Sequence, residues 1–143
     1  VAIGYEALGS QNFTTATETY NTAVGYSAGN AVTTGISNTI VGGRAGDALT
    51  DADFNVAIGM DSLTTDTLGG KSTALGVGAL GTQNFTTATD TFNTALGFQA
   101  GLSVTTGLRN VLVGGLAGDS GTTAANNVIV GYNSDLAAVD TAT

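Results

Sequence analysis

Residues 11 to 25 read QNFTTATETYNTAVG and residues 83 to 97 read QNFTTATDTFNTALG. The two copies differ only at Glu18/Asp90, Tyr20/Phe92 and Val24/Leu96, and each change keeps charge, ring or branched apolar character. Their shared ending, an apolar pair followed by Gly, sets the period of the whole chain. It recurs at Gly4, Gly25, Gly42, Gly59, Gly76, Gly97, Gly114 and Gly131. The intervals are 21, 17, 17, 17, 21, 17 and 17, so four rungs make a 72-residue super-repeat. The chain is expected to be one continuous segment of eight rungs, with super-repeats over residues 1-72 and 73-143. QNFTTAT belongs to the enlargement that turns one 17-residue rung in four into a 21-residue rung.

Aligned on that Gly, the rungs show what each position must do. Four residues earlier stands Asn (Asn21, Asn38, Asn55, Asn93, Asn110, Asn127), with Ser72 as the exception. Three residues later stands Ala or Ser in all eight rungs, from Ala7 to Ser134. Small residues mark close approach of another backbone, the Gly supplies a conformation that side chains forbid, and the Asn supplies turn hydrogen bonds. An Asn stacked on an Asn can also bond along the stack.

A 17-residue unit is too short for a helical hairpin, which takes about 34 residues in helix-pair repeats. Its apolar stretch is short and β-branched, which suits a strand. The expected fold is all-β: a parallel β-solenoid, each rung one coil, eight coils spanning about 38 Å at the strand spacing of a sheet. Adjacent strand residues point to opposite faces, so Ile40 and Val41, Ala57 and Ile58, or Leu112 and Val113 cannot both fill one thin coil. One row then needs a partner chain, which favours a parallel homo-oligomer, most economically a homotrimer, intertwined or side by side.

Composition excludes several functions. Of 143 residues 22 are Gly and only 10% are charged, an unusual mixture for an enzyme, and no catalytic residue or cofactor is expected. A net charge of −8, with Arg44, Lys71 and Arg109 the only cations, argues against nucleic acid and anionic membrane surfaces. No apolar run approaches the length of a membrane helix, so no membrane insertion is expected in this segment.

Units such as NTAVGYSAG, NTALGFQAG and NVAIGMDSL resemble the N-[ST]-x-A-[IVL]-G-x-x-[AS] repeats of the heads of trimeric autotransporter adhesins, the YadA-like heads. They are similar also to the repeats of phage tail fibres and long cell-surface proteins. The resemblance covers all eight rungs. It implies a left-handed parallel β-roll, three chains wound side by side, on a cell or virion surface outside the cell. The chain departs from the adhesin heads in its longer coil and its 21-residue rung. The IGxxA pattern also matches left-handed β-helix acyltransferases, but those carry the signal on every side of the coil and use a His that this chain lacks.

No metal site is expected. Asp47, Asp51 and Asp53 lie close together, but the second copy keeps only Asp119 of the three, as a solvated loop would. Glu18 and Asp90 are equivalent positions four rungs apart and cannot form a glycosidase pair. The aromatics Tyr5, Tyr26, Phe98 and Tyr132 follow the repeat Gly directly and suit coil edges or subunit seams. The candidate surface contacts are Phe13, Thr15, Thr17 and Tyr20 with their counterparts Phe85, Thr87, Thr89 and Phe92. They would form an adhesive ridge for a host-surface glycan or protein. Thr arrays for ice binding would need Thr rows on consecutive coils, whereas these recur only every fourth. The expected function is a non-catalytic extracellular fibre segment that mediates attachment, or alternatively a subunit of an end-to-end filament.

Overall fold

Wherever the sequence sets two or three apolar or β-branched residues before the repeat Gly, a short strand forms. The computed structural model describes residues 1–135. Its strands are β1 (Ala2–Ile3), β2 (Thr22–Val24), β3 (Thr39–Val41), β4 (Val56–Ile58), β5 (Gly69–Gly70), β6 (Thr73–Leu75), β7 (Thr89–Asp90), β8 (Thr94–Leu96), β9 (Val111–Val113) and β10 (Val128–Val130). All pairings are parallel. The order β1-β2-β3-β4-β6-β8-β9-β10 makes one eight-stranded sheet, and β5 pairs with β7 beside it. Ala23 lies on Ile40, Ile40 on Ala57 and Ala74 on Ala95, so the register advances by one coil, 17 or 21 residues, at every step. The expected all-β parallel solenoid of eight coils is the observed architecture, and no helix occurs among the described residues.

Tight turns bend each coil. The residue two after the repeat Gly has positive φ in every coil, including Glu6, Ser27, Arg44, Asp61 and Gln99. So does the residue four after it in the first seven coils, as Leu8, Leu63 and Leu80 or as Gly29, Gly46, Gly101 and Gly118. The residue five before it is left-handed in the seven coils that show it. The repeat Gly itself is the strictest position. Gly59 has φ 130°, and a Cβ there would sit 2.5 Å from the backbone carbonyl carbon of Gly76 in the next coil. Both the conformation and the approach demand Gly.

Inside the coil, the middle residue of each strand and the Ala or Ser three after the Gly are buried: Ala23, Ile40, Ala57, Ala74, Ala95 and Leu112 on one side, Ala28, Ala45, Ser62, Ala79, Ala100 and Ala117 on the other. Volume is exchanged between coils as well as within them: the coils with Ala23 and Ala95 carry Gly29 and Gly101, whose space is filled by Leu8 and Ile40 or by Leu80 and Leu112 of the coils on either side. Where the strand contributes Ile40 or Leu112, the left-handed position is Gly46 or Gly118; where it contributes Ala57 or Ala74, that position is Leu63 or Leu80. A Cβ on Gly118 would meet Leu112 Cδ2 at 2.6 Å, which shows how closely the two sides share the space.

The Asn column is a ladder. Asn21 Oδ1 accepts the backbone N–H of Asn38 at 2.8 Å, Asn38 Oδ1 accepts that of Asn55 at 2.9 Å, and Asn55 Oδ1 accepts that of Ser72 at 2.9 Å. Each Nδ2 donates to a carbonyl of the next coil: Asn21 to Gly35, Asn38 to Ala52, Asn55 to Gly69. One side chain thus satisfies two buried backbone groups of its neighbour. Ser72 interrupts the column at the second 21-residue coil, and a buried cluster takes over. The Ser72 hydroxyl lies 2.5 Å from that of Thr91, and Gln83 Nε2 donates to Ser72 Oγ at 2.9 Å and to Asp66 Oδ2 at 2.6 Å. Asp66 Oδ1 accepts the N–H groups of Gly69 and Phe85. Gln83 Oε1 accepts from Asn93 Nδ2 at 2.8 Å, and the ladder resumes from Asn93 to Asn110.

Candidate functional site

The Thr-rich run of the enlarged coil leads into the Asn column, and in the second copy Thr89–Asp90 pair in parallel with Gly69–Gly70 of the preceding coil. In both copies the run is tied to itself in the same way: Thr17 Oγ1 donates to the Thr15 carbonyl at 3.1 Å, and Thr89 Oγ1 to that of Thr87 at 2.9 Å. The eight candidate contacts do not share one environment. Thr15, Thr17, Tyr20, Thr87 and Phe92 are exposed, and Phe13 and Thr89 are partly buried. Phe85 is only 8% exposed and offers no face to a ligand. Its carbonyl accepts from Leu68 N and Thr67 Oγ1, and its N–H donates to Asp66. Of the ring pairs singled out in the sequence, Tyr20 and Phe92 are the outward-facing one.

Those two rings belong to a longer row. Five residues before each repeat Gly the chain reads Tyr20, Ser37, Phe54, Lys71, Phe92, Arg109 and Asn126, all with φ between 50° and 62°. Inter-coil bonds hold the row in line: Phe54 N–H donates to the Ile36 carbonyl at 3.1 Å, Lys71 to Asp53 at 3.0 Å and Arg109 to Thr91 at 2.8 Å. Phe54 and Lys71 are the members that reading the insertion alone misses. The signal was the column at this offset, which becomes visible once coils rather than insertions are aligned.

Around the middle of the row lies a groove of about 650 Å³, lined by Asp51, Asp53, Phe54, Lys71, Thr89 and Asp90 among others. Lys71 Nζ sits 2.6 Å from Asp90 Oδ2 and 5.4 Å from the centre of the Phe92 ring. The Tyr20 hydroxyl donates to Glu18 Oε2, and that bond raises its pKa above the ordinary phenol value. Asp47, Asp51 and Asp53, close together in the sequence, are spread among inter-coil bonds. Asp51 accepts from Thr34 Oγ1, Asp53 from the Ile36 N–H, and Asp47 from Thr64 Oγ1. Among the described residues no three acidic side chains converge as a metal would require.

A second surface runs the length of the stack. The outward residue before the repeat Gly is apolar in every coil: Ile3, Val24, Val41, Ile58, Leu75, Leu96, Val113 and Val130. Leu75 and Leu96 are 42% and 44% exposed. Beside this row stand Tyr5, Tyr26, Met60, Val77, Phe98 and Tyr132, all exposed or nearly so. Tyr5 and Tyr26 stack with ring centres 5.6 Å apart, and the charge of Glu6 raises the Tyr5 pKa. Compared with protein-family models, curated proteins and solved structures, the chain matches none of them.

Proposed function

We infer that the chain is a structural segment of an extracellular attachment fibre, of the kind found in adhesins and phage tail fibres, and that it works as a non-catalytic rigid rod of three parallel copies. The observation that carries this reading is the unbroken apolar row from Ile3 to Val130, flanked by exposed aromatics, on the outer face of a regular sheet. An apolar stripe of that length on a thin solenoid is a surface for burial, and a parallel copy presents the same row at the same coil spacing. Three copies about one axis bury the row on every chain, and a left-handed wind accords with the resemblance to the adhesin heads. The rod's mechanical role follows from its bonding. Each coil hydrogen-bonds to its neighbours on several sides, so load along the axis is shared by nearest-neighbour interfaces.

Solution mass together with electron microscopy tests the reading. Short rods with the mass of three chains support it, single-chain particles oppose it, and long end-to-end polymers would make the protein a filament subunit instead.

A further inference from the structure

We propose that the row carrying Tyr20, Phe54 and Phe92 is a platform for one extended chain of a neutral β-1,4-linked glucan lying parallel to the rod. The proposal deepens the attachment reading and rests on it, but it does not depend on the number of chains in the rod.

The first ground is conformational. Tyr20, Phe54 and Phe92 hold φ of 50°, 60° and 52° while remaining 70%, 52% and 51% exposed. Bulky rings at positive φ are outliers, and such strain concentrates at functional surfaces. Ser37 and Asn126 occupy the same place in other coils, so the turn itself has no need of a ring. Burial covers only about half of Phe54 and Phe92 and less of Tyr20, and the backbone disfavours all three.

The second ground is spacing. Coils advance by about 4.8 Å, so rings on every second coil recur at about 9.6 Å. That is close to, though slightly shorter than, the step of two pyranose rings in an extended β-1,4-linked chain, after which the same sugar face returns to the same side. Each aromatic face can then meet the C–H face of every second sugar, the ring's negative face against weakly positive hydrogens.

The third ground is the polar surround. Asp51, Asp53, Thr89 and Asp90 line the groove beside Phe54, and Lys71, also in its lining, reaches over the Phe92 ring. Asp51 and Asp53 each commit one oxygen to a neighbouring coil and have a second that can accept from a sugar hydroxyl. A few placed polar groups among apolar surface is the usual build of a ligand site. The chain's net charge of −8 repels uronic or sulfated polymers. A chain of hydroxyl-only rings fits the row, the acids and the charge together.

The test uses the whole chain in sedimentation binding to microcrystalline cellulose, with chitin and an insoluble cross-linked polyuronate as further arms. Wild type should pellet with cellulose and not with the polyuronate. Phe54→Asn with Phe92→Asn should weaken binding at least tenfold, and adding Tyr20→Asn should abolish it, with circular dichroism and solution mass unchanged because Asn suits the left-handed turn. Wild type that ignores cellulose, or prefers chitin or the polyuronate, overturns the proposal, as does a triple variant that binds as wild type does. A triple variant that changes solution mass would make the row a seam between chains and also overturn it. Failure here with an intact three-chain rod leaves the fibre reading standing, whereas single chains that still bind cellulose would separate the two in the other direction.

Discussion

At the residue scale the structure rests on two columns, Gly and Asn. The Gly column was readable as a forbidden conformation, and at Gly59 the strain and the approach to Gly76 coincide. Gly59→Ala should destabilise the rod by about 3 kcal/mol or more, measured by chemical denaturation. The Asn column was readable as a possible ladder, but its chemistry was not: the side chain bonds to the backbone of the next coil, not chiefly to the next amide. Asn55→Ala leaves the Ser72 N–H and the Gly69 carbonyl without their partner and should cost about 3 kcal/mol in the same measurement. A loss below about 1 kcal/mol would mean that water replaces the amide at little penalty. Left-handed side chains such as Phe54 and Leu63 were not legible at all, because nothing in an isolated Phe or Leu announces positive φ. Stacking with neighbouring coils holds them there.

The coil is the element, and its length is the property that the sequence states most clearly. Deleting residues 43–59 joins Gly42 to Met60 and removes one 17-residue coil in register. Deleting 44–59 instead leaves one residue too many between columns. The first variant should fold with a β-sheet spectrum and one transition. The second should lose cooperativity, since a slip of one residue turns inward side chains outward. The 21-residue coil was harder to read. Its repeated motif suggested an outward ridge around Phe13 and Phe85, whereas Phe85 is buried beside Asp66 and Gln83. The run gave no sign that a Ser at the Asn column needs Gln83, Thr91 and Asp66 from three points on two coils. The last described coil carries a titration. Burial, with the hydrogen bond that the protonated Asp119 carboxyl donates to Asp135, raises the Asp119 pKa above the ordinary carboxylate value. The folded state therefore binds its proton more tightly than the unfolded chain. Its contribution is fully present below the unfolded pKa and is lost as pH rises through the folded one. Amide protection factors at Gly118 and Ser120 should be higher near about pH 4 than near about pH 7, and Asp119→Asn should remove the difference.

At the scale of the whole molecule, alternation along three-residue strands decided the architecture. Ile40 faces in and Val41 faces out, Leu112 in and Val113 out, as adjacent strand positions require. The outward row was legible as a surplus of apolar side chains, and the structure gives it length and continuity. On the proposed three-chain reading, neighbouring copies cover it. Leu75→Glu with Leu96→Glu places two charges at the middle of the row, on positions that one chain leaves 42% and 44% exposed. The pair should separate the copies while leaving the sheet spectrum of each solenoid unchanged, because neither residue contributes to the core. The most direct measurement is the native mass of the wild-type chain by sedimentation equilibrium. A rod of three copies has three times the 14.0 kDa chain mass, independent of dilution across the micromolar range. A single species at 14.0 kDa would contradict it.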